Sequence, residues 1–126
     1  MYNQKVMNAF AQANNAGVLR GANGVGTATD QVCGDTIRIY LNIQDDMVAE
    51  AKFKAFGCVA TIASASTISD IALGKSMQDI QKLTDVDVYN ILGELPIDKQ
   101  YCVLLGIEAL NNALLDYYKF LEKSKV

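Results

Sequence analysis

The stretch "QVCGDTIRIY", residues 31 to 40, sets Cys33 and Asp35 two positions apart with Gly34 between them. A thiol and a carboxylate at that spacing are two ligand types that can be aimed at one point. Residues i and i+2 of a strand point to the same side, about 7 Å apart along the chain. Cys33 and Asp35 share the parity of Ile37, Ile39 and Leu41, so both are expected to continue the core-facing row at the end of a sheet. A cysteine there behaves as a small hydrophobe. A carboxylate does not, because burying it unpaired is expensive; it must find water, a cation, backbone donors or a metal. Gly34 permits an unusual backbone conformation or the close approach of another group. The other reading is a Gly-Asp turn that leaves Asp35 in solvent before the strand begins. On these residues alone both stand.

The remaining cysteines tilt the balance toward a site. Cys58 follows Gly57 where a strand gives way to a helix, and amide donors at a helix N-terminus favour a thiolate. Cys102 is expected in the second turn of the last helix, with Lys99 three residues before it. A cation at that distance also lowers a thiol pKa. If the three element ends converge, they present three sulfurs and one carboxylate, a donor set suited to zinc or an iron–sulfur cluster.

The composition narrows the chemistry further. There is no histidine, which removes Ser-His-Asp and Cys-His catalysis and histidine-ligated zinc. The cysteines are odd in number, 25 and 44 residues apart, and lack a C-x-x-C pair, so a disulfide framework is not expected. A net charge of −3, with a basic cluster only in the terminal "EKSK", argues against nucleic acid binding. No stretch is long and apolar enough to span a membrane, and the start "MYNQKVMNAFAQANN" lacks the pattern of a signal peptide. The expectation is a cytoplasmic protein.

Several elements must position these residues. Residues 2–12 read as a short helix with Tyr2, Val6 and Phe10 on one face. Residues 14–31, with four glycines, read as a flexible loop holding at most a short edge strand around Val25 to Ala28. They lack the Gly-Lys-Ser/Thr ending of a phosphate loop. From Thr36, Ile37, Ile39, Leu41 and Ile43 alternate with Arg38, Tyr40, Asn42 and Gln44, the pattern of a half-buried antiparallel strand. Asp45-Asp46 turns the chain into a second strand with Ala51, Phe53 and Ala55 inward. A small-residue helix then runs from Cys58 to a stop at Gly74. Ser76 with Asp79, and Thr84, cap two short helices, the second stopping at Gly93. Pro96 is expected to open the last helix, whose core stripe is Val103, Leu104, Ile107, Leu110, Leu114, Tyr117 and Leu121. The fold class is α+β: one domain over 1–126, a small antiparallel sheet of about three strands covered on one face by helices.

At this point the sequence resembles the IscU/NifU-type iron–sulfur cluster assembly scaffolds over nearly its whole length. The resemblance is carried by "YNQKV" at 2–6, "CGD" at 33–35, "AKFKAFGC" at 51–58, "ASAS" at 63–66, "LGKS" at 73–76, "ELPIDK" at 94–99 and the helix holding Cys102. It implies a scaffold rather than a metabolic enzyme. Sulfur from a cysteine desulfurase and iron would be combined into a transient [2Fe-2S] cluster and passed to apo iron–sulfur acceptor proteins. Residue by residue, Cys33, Cys58 and Cys102 are implied as cysteine ligands, Asp35 as the nearby aspartate, and Cys102 as the sulfur acceptor. Zn2+ is implied as an occupant in isolated protein.

Some positions depart from the family pattern. IscU-type members carry a histidine immediately before the last cysteine, where this chain has Tyr101, which makes Asp35 the preferred fourth ligand. SufU-type relatives also lack that histidine and hold zinc on three Cys and an Asp, but carry an insertion that this chain lacks. The chaperone-recognition segment, usually Leu-Pro-Pro-Val-Lys, is here Leu95-Pro96-Ile97-Asp98-Lys99, which puts binding to an Hsp70-type chaperone in doubt. The N-terminal Asn-Pro-Arg-Asn segment is degraded to "QANNAG". The competing functions are a zinc-bound sulfur acceptor that builds no cluster and a degenerate paralogue that binds no metal. A hard oxygen among thiolates should release a cluster more readily than a fourth thiolate would. Asp35→Cys is therefore expected to slow cluster transfer to an acceptor; an unchanged transfer rate would count against an oxygen ligand.

Overall fold

A computed structural model of the chain describes residues 2–124. Its centre is the strand that the alternating pattern predicts, β2 (Thr36–Gln44), with Ile37, Ile39, Leu41 and Ile43 buried on one side. Asp45 and Asp46 both take left-handed backbone conformations, at φ 54° and 62°. That geometry makes the tight two-residue turn whose twist matches a hairpin. The chain returns as β3 (Met47–Phe56), antiparallel to β2. A bulge near Asn42 and Ile43 pairs Ile43 with Val48 but Asn42 with Glu50, leaving Ala49 as the extra residue. The slip lets Val48 and Ala51 both be buried although their spacing is odd. Tyr40, expected toward solvent, is also buried; on the middle strand it lies in register between Val25 and Lys52.

The third strand, β1 (Gly24–Thr29), pairs antiparallel with the other side of β2, giving the order β1-β2-β3. It is longer than the edge strand expected within the loop at 14–31. Two of the glycines assigned to that loop are packing residues instead. A Cβ on Gly26 would lie 2.2 Å from both the Ala109 carbonyl oxygen and the Ala113 amide nitrogen of the last helix.

That helix, α5 (Tyr101–Ser124), follows a 3₁₀ turn at Ile97–Lys99. Pro96 does not open it, since its ψ of 146° is extended. Cys102 therefore sits in the first turn of α5 rather than the second. The buried arc includes Val103, Leu105, Ala109, Leu110, Ala113, Leu114 and Tyr117. Leu104, expected in the core, is 58% exposed. The arc is rotated toward β1, where small residues let the helix backbone approach the strand.

The second long helix, α2 (Val59–Ala72), begins after the N-cap Cys58 and ends before Gly74, as the sequence predicts. Its alanines, serines and threonines are mostly buried, and it contacts β3, α5, α4 (Asp85–Leu92) and α1 (Gln4–Ala11). Asn3 caps α1 and also donates to the Glu94 carbonyl. Val6 is the buried anchor of α1, while Phe10, expected beside it, is exposed. Ser76 accepts from the Asp79 amide to start α3 (Met77–Gln81). The Asp87 carboxylate accepts from the Thr84 amide at 2.9 Å to start α4. The helices lie on one face of the sheet, so the fold is the expected α+β arrangement. Among the described residues no helix is long and apolar enough to cross a membrane. Gly26→Ala is expected to destabilise the protein by about 3 kcal/mol, because the clash is with helix backbone that cannot turn aside. Urea unfolding compared with the wild type measures it.

Candidate metal centre

The turn that opens β2 decides where the first two candidates go. The Asp30 carboxylate accepts from the Cys33 amide at 2.7 Å, and the Asp30 carbonyl accepts from the Gly34 amide at 2.8 Å. The Asp30 amide donates to the Asp35 carbonyl at 2.8 Å, and Gly34 turns the chain at φ 77°. Residues 31–34 are therefore not extended, and strand parity does not reach Cys33. Cys33 is exposed, whereas Asp35, still on the inward row, is 8% exposed. Each of the two readings of this stretch holds in part: there is a turn, but the carboxylate is buried.

Three separate elements then meet. Cys58 is the N-cap of α2 and half-buried, and Cys102 in the first turn of α5 is fully buried. The ligand atoms of Asp35, Cys58 and Cys102 lie within 4.8 Å of one another. Cys33 stands outside this group.

Thr61 joins the three groups. Its hydroxyl donates to Asp35 Oδ2 at 2.7 Å and lies 3.5 Å from the sulfurs of both Cys58 and Cys102. Tyr101 also donates to Asp35 Oδ2, at 2.7 Å, and the Tyr2 hydroxyl donates to Cys58 Sγ at 3.9 Å. Gly57 leaves the space: a Cβ there would sit 2.6 Å from Thr61 Oγ1 and 2.9 Å from Asp35 Cγ. Sequence reasoning missed Thr61. Its signal was the spacing, since the residue three after an N-cap is the one whose side chain can reach back to it.

The two inner thiols are shifted in opposite directions. Burial pushes the Cys58 thiol up, but hydrogen bonding with the Thr61 side chain, the Thr61 and Ala60 amides and the Tyr2 hydroxyl outweighs it, and the pKa is lowered. For Cys102 burial wins; with the Cys58 and Asp35 charges adding to it, the pKa is pushed up to about 11. Lys99, expected to lower it, is not among the groups that act on it. The Tyr101 phenol is raised, first by its bond to Asp35 and then by burial, so it stays a donor. Burial and the bond to Cys58 raise Tyr2 to about 12.

Two sulfurs and a carboxylate at this separation fit a thiolate-selecting cation. Zinc–sulfur bonds of about 2.3 Å set tetrahedral sulfurs roughly 3.8 Å apart, so the group needs little closing to grip one ion.

The NifU-like N terminal domain family matches residues 1–124, and the chain belongs to that family. It is 39% identical over 119 residues to the iron-sulfur cluster assembly scaffold protein IscU 1 of Archaeoglobus fulgidus, covering 94% of this chain and 78% of that protein. It is 40% identical over 118 residues to the scaffold protein IscU of Aquifex aeolicus, covering 92% and 75%. The fold is similar to the crystal structure of a putative iron-sulfur cluster assembly scaffold protein for the SUF system from Fervidobacterium islandicum. There the TM-score is 0.75 at 20% identity, covering 90% of this chain and 96% of that one.

Iodoacetamide should modify Cys58 at a lower pH than an ordinary thiol, because a lowered pKa raises the thiolate fraction near neutrality. Cys102 should stay unmodified in the folded protein until the pH approaches 11. Peptide mapping by mass spectrometry across pH 6 to about 11 checks both.

Proposed function

We propose that this chain is a scaffold on which an iron–sulfur cluster is assembled and from which it is handed on. One observation carries the proposal: Asp35, Cys58 and Cys102, far apart in sequence, bring three ligand atoms within 4.8 Å. Family membership and the named scaffold function of the relatives support it. Cys33, exposed on the turn before β2, would join as the third thiolate. The cargo in this proposal is a [2Fe-2S] cluster, since a site of three thiolates and one carboxylate can share its ligands between two irons. Zn2+ is the ion expected in isolated protein.

Sulfur would arrive by thiol exchange from a cysteine desulfurase. The Cys102 thiolate bonds to the outer sulfur of the donor's persulfide, the donor S–S bond breaks, and the donor cysteine leaves as a thiolate. The outer sulfur keeps its proton and its oxidation level. Because Cys102 is fully buried, delivery to it requires the first turn of α5 to open. Val32, Phe56 and Ile97, exposed and close along the chain to Cys33, Cys58 and Tyr101, would offer apolar contacts to the desulfurase and to apo-protein acceptors. The setting proposed is the cytoplasm, and the altered Leu95 to Lys99 segment puts binding to an Hsp70-type chaperone in doubt. A zinc-bound sulfur acceptor is the second reading, favoured by a donor triangle compact enough for a single ion.

The test is anaerobic purification, assay of iron, zinc and acid-labile sulfide, then addition of a desulfurase, cysteine, ferrous iron and a dithiol. The dithiol supplies the electron pair that turns sulfane sulfur into sulfide. The expected result is visible cluster absorbance, lost in Cys58→Ser and Cys102→Ser and weakened in Cys33→Ser. Bound zinc with persulfide on Cys102 and no cluster would establish the acceptor reading. No metal and no sulfur would leave only an interaction paralogue.

A further inference from the structure

We infer that Tyr101 and Thr61 are positioning residues that hold the Asp35 carboxylate by one oxygen and present the other to the metal. The inference rests on the metal-centre reading above and says how this chain manages without a histidine beside its last cysteine. Both hydroxyls, on different helices, donate to the same atom, Asp35 Oδ2, each at 2.7 Å. Asp35 Oδ1 takes no side-chain hydrogen bond among the described residues. An ionised carboxylate is acceptor-only with two oxygens, so two donors on Oδ2 leave Oδ1 to a cation. Turning the carboxylate to bind a metal through both oxygens would break one or both of these bonds.

Tyr101 therefore supports the ligand instead of being one, because its proton is committed to Asp35. The neighbourhood permits little else. Asp35 is buried, Thr61 is fully buried on α2, and the missing Gly57 side chain leaves just enough room for the Asp35 Cγ. Such partners fix a ligand's orientation, and their removal typically lowers metal affinity about 10- to 100-fold.

Cobalt(II) added to anaerobic, metal-free protein is the probe, because its ligand-field bands report geometry and its sulfur charge-transfer band reports thiolate binding. Tyr101→Phe should keep the charge-transfer band, change the ligand-field bands and weaken binding about 10- to 100-fold. Thr61→Val should weaken binding as well, while Thr61→Ser should restore it. In an Asp35→Ala background Tyr101→Phe should have no further effect, since the residue acts through Asp35. Tyr101→Phe with wild-type bands and affinity, or an equal loss with and without Asp35, overturns the inference. Circular dichroism confirms that each variant is folded. A second measurement needs no metal: proton NMR should show slowly exchanging Thr61 and Tyr101 hydroxyl protons that disappear in Asp35→Ala. If wild-type protein binds no cobalt, the metal-centre reading fails on its own. The hydroxyl signals then still decide the clamp, their presence supporting it and their absence overturning it.

Discussion

A methyl group on Gly26 would meet the backbone of α5 at 2.2 Å, so helix and strand are as close as a glycine allows. The same helix closes the free edge of β1. Asp116 accepts from the Val25 amide at 2.8 Å, and Asn112 donates to the Thr27 carbonyl at 3.0 Å. An exposed strand edge, with its unpaired amides and carbonyls, is thereby satisfied by side chains of the same molecule. These contacts set both the rotation and the height of α5 on the sheet. Its first turn, with Tyr101 and Cys102, is then held over the start of β2, where Asp35 waits. The site is a consequence of how the core packs at its other end.

At the site, hydroxyl protons do what a buried carboxylate usually asks of a cation. Two hydrogen bonds to one carboxylate oxygen offset much of the cost of burying Asp35. Neutral donors also bring no positive charge that would repel a metal. Thr61 carries more than its share, since one oxygen atom touches the carboxylate and both inner sulfurs. A change there should be felt by all three ligands at once.

The two inner thiols divide the work a scaffold has to do. Cys58, half-exposed at a helix N-terminus, is held toward its thiolate, while Cys102 is protected and protonated beneath the first turn of α5. One is open to solvent with its thiolate favoured; the other is buried with its thiolate disfavoured. Cys33 lies outside the core, exposed on a turn built by Asp30 and Gly34.

Much of this was legible in the residues. Strict alternation from Ile37 to Ile43, the Asp45-Asp46 turn, the start of α2 at Cys58 and its stop before Gly74 are local matters of side-chain period and backbone preference. So is the choice of Cys58, Cys102 and Asp35 as candidates, because three thiols and a carboxylate at element ends form a donor set that a metal could use. Tertiary structure decided the rest. Gly24 and Gly26 look like loop residues until a helix lies on them, and Leu104 looks like core until that helix is rotated toward β1. Strand parity could not reveal that a turn carries Cys33 outward. The sequence by itself determined which chemical groups are available and which elements carry them, since both depend on residues close along the chain. Only the fold decided that Thr61 and Tyr101 grip the same oxygen of Asp35, because that meeting depends on the packing of α2 and α5 against the sheet.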